Sequence, residues 1–413
     1  MTPTTRTAVI LFMTASLVLV APVLVLLAWI VLVGMVASDV RGSGAHPRVT
    51  RTFPRVIARG RPMQVSITAD ATEHRIVKIR QPTPADVELK PAEGIADLGA
   101  TLTASRRGQR VLGETHVRTQ GPLGLMSRDH KAGGRSELLV YPDVPGARRL
   151  ARAARTRGLM QQGRARGSLG LGTQFESIRD YLPDDDFRQV NWLATARTGR
   201  AMSNQYRTEE DRDVIALVDA GRLMGAPLEG RTRLDVALDA ITAVAVAGDE
   251  VGDRCGAVAF DETVLRSIAP RRKGATAVVR SLFDLEPSGR DSDYERAFMS
   301  VAVQKRALLL VFTDIIDRAA ADSLLRAIPL VARRHSVTVI SASDVDLLAA
   351  ISEDPGGPLD VYRAAVAADV LAERAGVITA LRHQGATVIE ARPEELPEAS
   401  LIAYLRAKSR ARF

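Results

Sequence analysis

The sequence predicts an α/β protein with a mostly parallel, Rossmann-like sheet in its C-terminal half, and three observations carry that prediction. Beyond residue 212, short apolar runs alternate with segments of helical periodicity. The clearest run, Val214 to Val218, is continuously apolar and stops at Asp219, as expected of a strand covered on both faces. Strands separated by helices need crossovers, which makes βαβ units and a parallel sheet.

Taken in order, the first segment is residues 1–40. No charged residue falls between Thr7 and Ser38, and Ala8 to Ala37 is almost wholly aliphatic or aromatic. A signal peptide has a shorter apolar stretch and a small-residue cleavage site, so a transmembrane segment is expected. As one helix it would reach roughly 45 Å against a hydrocarbon core of about 30 Å. Pro22 lies at its middle, so a two-helix hairpin competes with one kinked span. A buried core helix would have to hide every face of the segment. Arg41, Arg48, Arg51, Arg55, Arg59 and Arg61 follow it, against Arg6 alone before it, which places the soluble part in the cytoplasm.

Residues 41–145 read as β. Met63 to Thr68, Arg75 to Ile79, Thr101 to Ala104, Arg110 to Arg118 and Glu137 to Tyr141 alternate apolar and polar residues between Gly, Pro and Asp clusters. Regular short strands of this kind predict an antiparallel, β-sandwich-like domain. Residues 146–171 are rich in Arg, Ala and Gly and read as a basic linker, a helix followed by a flexible arm. The stretch has no aromatic residue on which a base could stack, so nucleic acid is not the expected partner.

Residues 213–413 supply the α/β pattern. Expected strands are Val214 to Val218, Cys255 to Phe260, Ala307 to Phe312, Ser336 to Ser341 and Ala386 to Glu390. Expected helices are Leu234 to Ala247, Thr276 to Phe283, Ala319 to Arg333, Tyr362 to Arg382 and Glu395 to Ala407. Ligands of such sheets sit at the carboxyl ends of the strands, where Asp219 and Asp314 lie.

A chain of 413 residues suits two domains and an appendage. Its net charge of +8 favours acidic partners, anionic lipid included, without bearing on fold. The lone Cys255 excludes an internal disulfide and, within an apolar run, reads as a small core residue. The histidines are scattered without metal-ligand spacing, and no P-loop or dinucleotide glycine pattern occurs. Any ATPase activity must therefore come from a partner.

The densest polar constellation is residues 172–212. It gathers Arg179, Asp180, Tyr181, Asp184, Asp185, Asp186, Arg188, Trp192 and Arg197. Two carboxylates could serve as general acid and base, but nothing in the sequence separates their pKa values as that chemistry requires. The structural reading is a turn at Pro183 with Arg188 and Arg197 paired to the acids.

This block resembles the signature of the bacterial domain-of-unknown-function fifty-eight family. Gly172, Phe175, Arg179, Tyr181, Asp185, Asp186, Arg188, Val190, Trp192, Ala196 and Arg197 occupy its positions, with Asp184 where the family has glycine. The resemblance implies a transmembrane hairpin, a β-sandwich-like region and a von Willebrand factor A-like α/β domain. It also implies a MoxR-type AAA+ ATPase as partner. Metal-binding von Willebrand A domains use D-x-S-x-S with a later Thr and Asp, because a hard cation wants hydroxyl and carboxylate oxygens. Here the motif reads Asp219-Ala220-Gly221-Arg222-Leu223. Asp219, Thr313 and Asp314 remain as a degenerate Mg²⁺ set, whose plainer role is to cap the helices that follow.

The expected function is thus a non-catalytic scaffold or adaptor tethered to the cytoplasmic membrane, with no cofactor, working with the ATPase on the assembly or maturation of another protein. The alternative is a hydrolase using the Asp184 to Arg188 block.

Overall fold

The computed structural model describes residues 2–3, 9, 22–42, 46–70, 75–160, 169–170, 174–182, 185–207, 212–302, 305–315 and 318–410. It has mixed α/β architecture and divides into two compact units, Met1–Tyr141 and Pro142–Phe413.

In the first unit, an apolar helix spans Pro22–Gly42. Of its residues, Val23–Arg41 is long and apolar enough to cross a membrane. Its exposed surface is aliphatic, and the buried positions Val25, Leu32 and Asp39 recur every seven residues along one stripe. Most of the first limb of the expected hairpin, residues 10–21, lies outside the described residues. The rest of the unit is built from short strands in three sheets. Along Met63–Asp70 every second residue is buried, and Val65, Ile67, Leu98, Leu102, Leu112, Val117, Leu138 and Val140 share one core. The expected run Arg110 to Arg118 is two strands, Gly108–Leu112 and Thr115–Gln120, because Gly113 and Glu114 interrupt it.

The second unit carries the parallel sheet. Its strands are β1 (Asp213–Asp219), β2 (Arg254–Phe260), β3 (Val264–Arg272), β4 (Ala307–Phe312), β5 (Ser336–Ala342) and β6 (Thr387–Ala391). They lie in the order β3-β2-β1-β4-β5-β6, and only the edge strand β3 is antiparallel to its neighbour. The order reverses between β1 and β4, which opens a crevice at their carboxyl ends.

Seven helices accompany this sheet among the described residues, α1 (Arg233–Val251), α2 (Ala275–Leu282), α3 (Tyr294–Ala302), α4 (Arg318–Ala332), α5 (Val345–Ser352), α6 (Pro358–His383) and α7 (Leu396–Arg410), and all but α5, which packs on α6, contribute to its core. Alternate residues of β1 feed the two faces. Val214, Ala216 and Val218 pack with α1, α2 and α7, whereas Ile215 and Leu217 pack with α3, α4 and α6. Helix α1 starts in a capping box, with Thr232 Oγ1 accepting from Asp235 N and Asp235 accepting from Thr232 N.

Four elements depart from the sequence expectation. Residues 144–156 form the helix expected at the head of the basic linker, but its Ala147, Ala151 and Ala154 are buried, so it is packed and not a solvated connector. Its arginines face out while alanines every three or four residues let it pack on α1. Strand β3 was not anticipated because its burial alternates only weakly, as suits an edge. Helices α3 and α5 were not anticipated either.

Candidate functional site

The signature block is a β-hairpin with an elaborated tip. Gln174–Asp180 pairs antiparallel with Met202–Arg207. Between them come a 3-10 turn at Phe187–Gln189 and a short helix, Trp192–Thr198. Asp186 caps the turn by accepting from Arg188 N at 3.0 Å, and Asn191 caps the helix by accepting from Ala194 N at 2.9 Å. Gly199 ends the helix at φ +69°, a left-handed conformation that glycine adopts without strain.

Arg179, Tyr181 and Asp185 form one knot at the base of this tip. The Arg179 guanidinium donates to Asp185 Oδ1 at 2.5 Å, while Leu182 N donates to Oδ2 at 2.9 Å. The Tyr181 hydroxyl donates to the Asp185 carbonyl at 3.0 Å. The Arg179 bond, then the Leu182 N–H, holds the Asp185 carboxyl below the ordinary carboxylate range. The sequence reading paired the acids with Arg188 and Arg197, and the structure corrects it. Arg179 takes Asp185, since it lies on the strand facing the turn, and neither Arg188 nor Arg197 has a carboxylate partner among the described residues. Gly172 and Asp184 lie outside the described residues.

Trp192 of the signature and two of its apolar neighbours face solvent. Phe187 is 67% exposed and Trp192 62%, with their rings edge to face at 5.4 Å. Leu193 is 75% exposed beside them. Exposed aromatics stacked on each other are costly to maintain unless something covers them part of the time.

At the crevice between β1 and β4 the sequence-predicted acids separate. Asp219 is buried and saturated. Its Oδ1 accepts from Gly221 N at 2.8 Å and from the Ser292 hydroxyl. The Tyr294 and Thr313 hydroxyls lie 2.7 and 2.6 Å from Oδ2 and 2.7 Å from each other. Two protons therefore serve three oxygen contacts. Burial, then the nearby Asp219 charge, pushes the Tyr294 phenol well above its ordinary value, so it stays protonated as a donor.

Asp314 belongs to a different network. Its Oδ1 takes Arg233 at 3.1 Å and Arg374 at 3.5 Å, and Arg233 also reaches Asp344 while Arg374 reaches Glu390. Arg374 further donates to Ser341 Oγ and Ala342 O, both at 2.9 Å. Burial raises the Asp314 carboxyl and the two guanidiniums oppose that rise. Thus Thr313 meets Asp219 as expected, but Asp314 is committed to arginines. This donor set does not fit a hard cation, because hydroxyls and a backbone N–H engage both oxygens of Asp219, while Asp314, whose Oδ2 has no hydrogen-bond partner among the described residues, is flanked by two guanidinium cations. No group of three or more His, Cys, Asp or Glu is placed to hold a metal ion among the described residues.

Residues 177–348 match the family described as "Protein of unknown function DUF58". They form a DUF58 domain. Uncharacterized proteins of Mycobacterium bovis and Mycobacterium tuberculosis are each 24% identical over 269 residues, covering 58% of this chain and 81% of their own length. A superoxide reductase (neelaredoxin) structure from Ignicoccus hospitalis covers 24% of this chain and 84% of its own at 15% identity, with a TM-score of 0.16.

Within the DUF58 domain, sequence reasoning missed Ser292, in a polar loop with no distinguishing motif, and Tyr294, the first residue of α3. It also missed Arg233. Arg374, on α6 beyond the matched span, could have been found. It shares a helical face with the core residues Val377, Ile378 and Leu381, and a charge at a core position signals a buried ion pair.

Proposed function

We propose that this chain is a membrane-anchored, non-catalytic scaffold whose DUF58 domain docks a partner through the Phe187, Trp192 and Leu193 knuckle. The partner is a MoxR-type AAA+ ATPase and the work is assembly or maturation of a client protein. The observation that carries the reading is that Trp192 of the signature stands exposed at a hairpin tip, edge to face with the equally exposed Phe187, while Asp185 and Asp186 are spent on local structure. A hydrolase at the same block would need a carboxylate free to move a proton, and Asp185 already serves Arg179 and Leu182 N.

Finer readings belong to the same proposal. The strand order with one antiparallel edge, and acids at the β1 and β4 ends, support a von Willebrand factor A-like domain. The alternating burial of the first unit supports a β-sandwich-like domain. Pro22 at the middle of the apolar segment supports a hairpin, and the arginines after that segment support a cytoplasmic orientation.

The test is purification from detergent-solubilised membranes with a slowly hydrolysed ATP analogue, comparing wild type with Trp192→Ala. Capture of an AAA+ ATPase by wild type and its loss from the variant supports the scaffold. Substrate turnover by the purified chain, abolished in a normally melting Asp185→Asn variant, replaces it with the hydrolase.

A further inference from the structure

The geometry points to the turn Gly121–Leu125 as a second membrane contact, an interfacial anchor seated in the lipid headgroup layer. The inference deepens the membrane-anchored reading above and rests on it. Val23–Arg41 has 19 residues. At about 1.5 Å each that is roughly 28 Å, close to the ~30 Å of a hydrocarbon core, so its last turn lies at the interface. Asp39 is in that last turn and fully buried.

What buries it is the turn. Asp39 Oδ1 accepts from Leu123 N at 2.8 Å, and Oδ2 accepts from Leu125 N at 2.8 Å and Met126 N at 2.7 Å. A carboxylate holding three backbone N–H groups fixes the depth of the turn to the depth of the helix end. Gly121 permits the approach, since a Cβ there would stand 2.2 Å from Asp39 Oδ1. No other residue type fits.

The side chains of this clasped turn divide in two. Leu125 points into the protein and is buried, while Pro122 and Leu123 are exposed, Leu123 at 47%. An aliphatic tip held at the end of a membrane span has lipid as its neighbour, and Arg41 beside it suits anionic headgroups. The occupant is therefore a bilayer surface, continuous with the one the helix crosses.

Tryptophan fluorescence reads both depths in the same full chain. Trp29 and Trp192 are its only tryptophans. In vesicles of zwitterionic and anionic phospholipid, Leu123→Trp in a Trp29→Phe, Trp192→Phe background should emit to the blue of a solvated tryptophan. It should be quenched most by lipids brominated near the glycerol. Trp29, in a Trp192→Phe background, should be quenched most by lipids brominated near the chain ends. Adding Asp39→Ala should reduce quenching at position 123 and leave Trp29 unchanged. Position 123 unquenched while Trp29 is quenched overturns the anchor alone, and leaves that face for a protein partner. Trp29 unquenched overturns the membrane span and the anchor with it.

Discussion

Arg233 and Arg374 approach Asp314 from two different helices, and the three form a buried charge cluster whose members cannot be removed singly at low cost. Arg374→Met leaves Asp314 and Glu390 short of a cation, and the expected loss is about 3–5 kcal/mol, read as a fall in Tm. Tyr294→Phe removes a donor to Asp219 from a fully enclosed site, at about 1–3 kcal/mol by denaturant titration. His335 gives a pH signature. Its Nδ1 accepts from Ala307 N at 3.2 Å, which requires the neutral ring, and burial lowers its pKa below 6.5. The unfolded chain then binds a proton the folded chain refuses, so stability drops as pH falls below about 6.5. In His335→Gln that part of the acid slope should flatten in melts taken between about pH 5 and 7.

The hairpin of residues 174–207 sets a hydrogen-bonded knot and an exposed apolar knuckle within a few turns of chain. Trp192→Ala, at an exposed position, should shift stability by no more than ~0.5 kcal/mol in a thermal melt. Asp185→Ala strands Arg179 and the Leu182 N–H and should loosen the tip, seen as faster amide exchange at Leu182 with little change in β1. Much of this level was legible in advance. Val214–Val218 and Ala307–Phe312 read as strands because both faces are covered, and that demands an unbroken apolar run. Trp192 and Arg179 were found through the signature, which marks their importance but not their exposure or pairing. The helix 144–156 was legible as a helix but its packing was hidden by its arginines, because alanine gives a weak hydrophobic signal even where it is the packing face. Ser292 joins Asp219 across 73 residues of sequence, a contact made by topology, which spacing does not encode.

The whole chain joins an apolar N-terminal helix, a β-rich unit and an α/β unit that ends in a C-terminal helix pinned to its own core. Tyr404 and Lys408 of α7 both reach buried Asp253, so truncation before α7 strands a buried carboxylate and should prevent folding of the second unit, scored by protease resistance. The central claim is that the knuckle of Phe187, Trp192 and Leu193 is a docking surface. The most direct measurement is the affinity of a purified MoxR-type ATPase for the bilayer-embedded chain, wild type against Phe187→Ala with Trp192→Ala, alongside melts of both. A loss of at least about tenfold in Kd at unchanged Tm, the size expected for truncating aromatic hot spots, is the predicted result. Equal affinities for the two forms would contradict it.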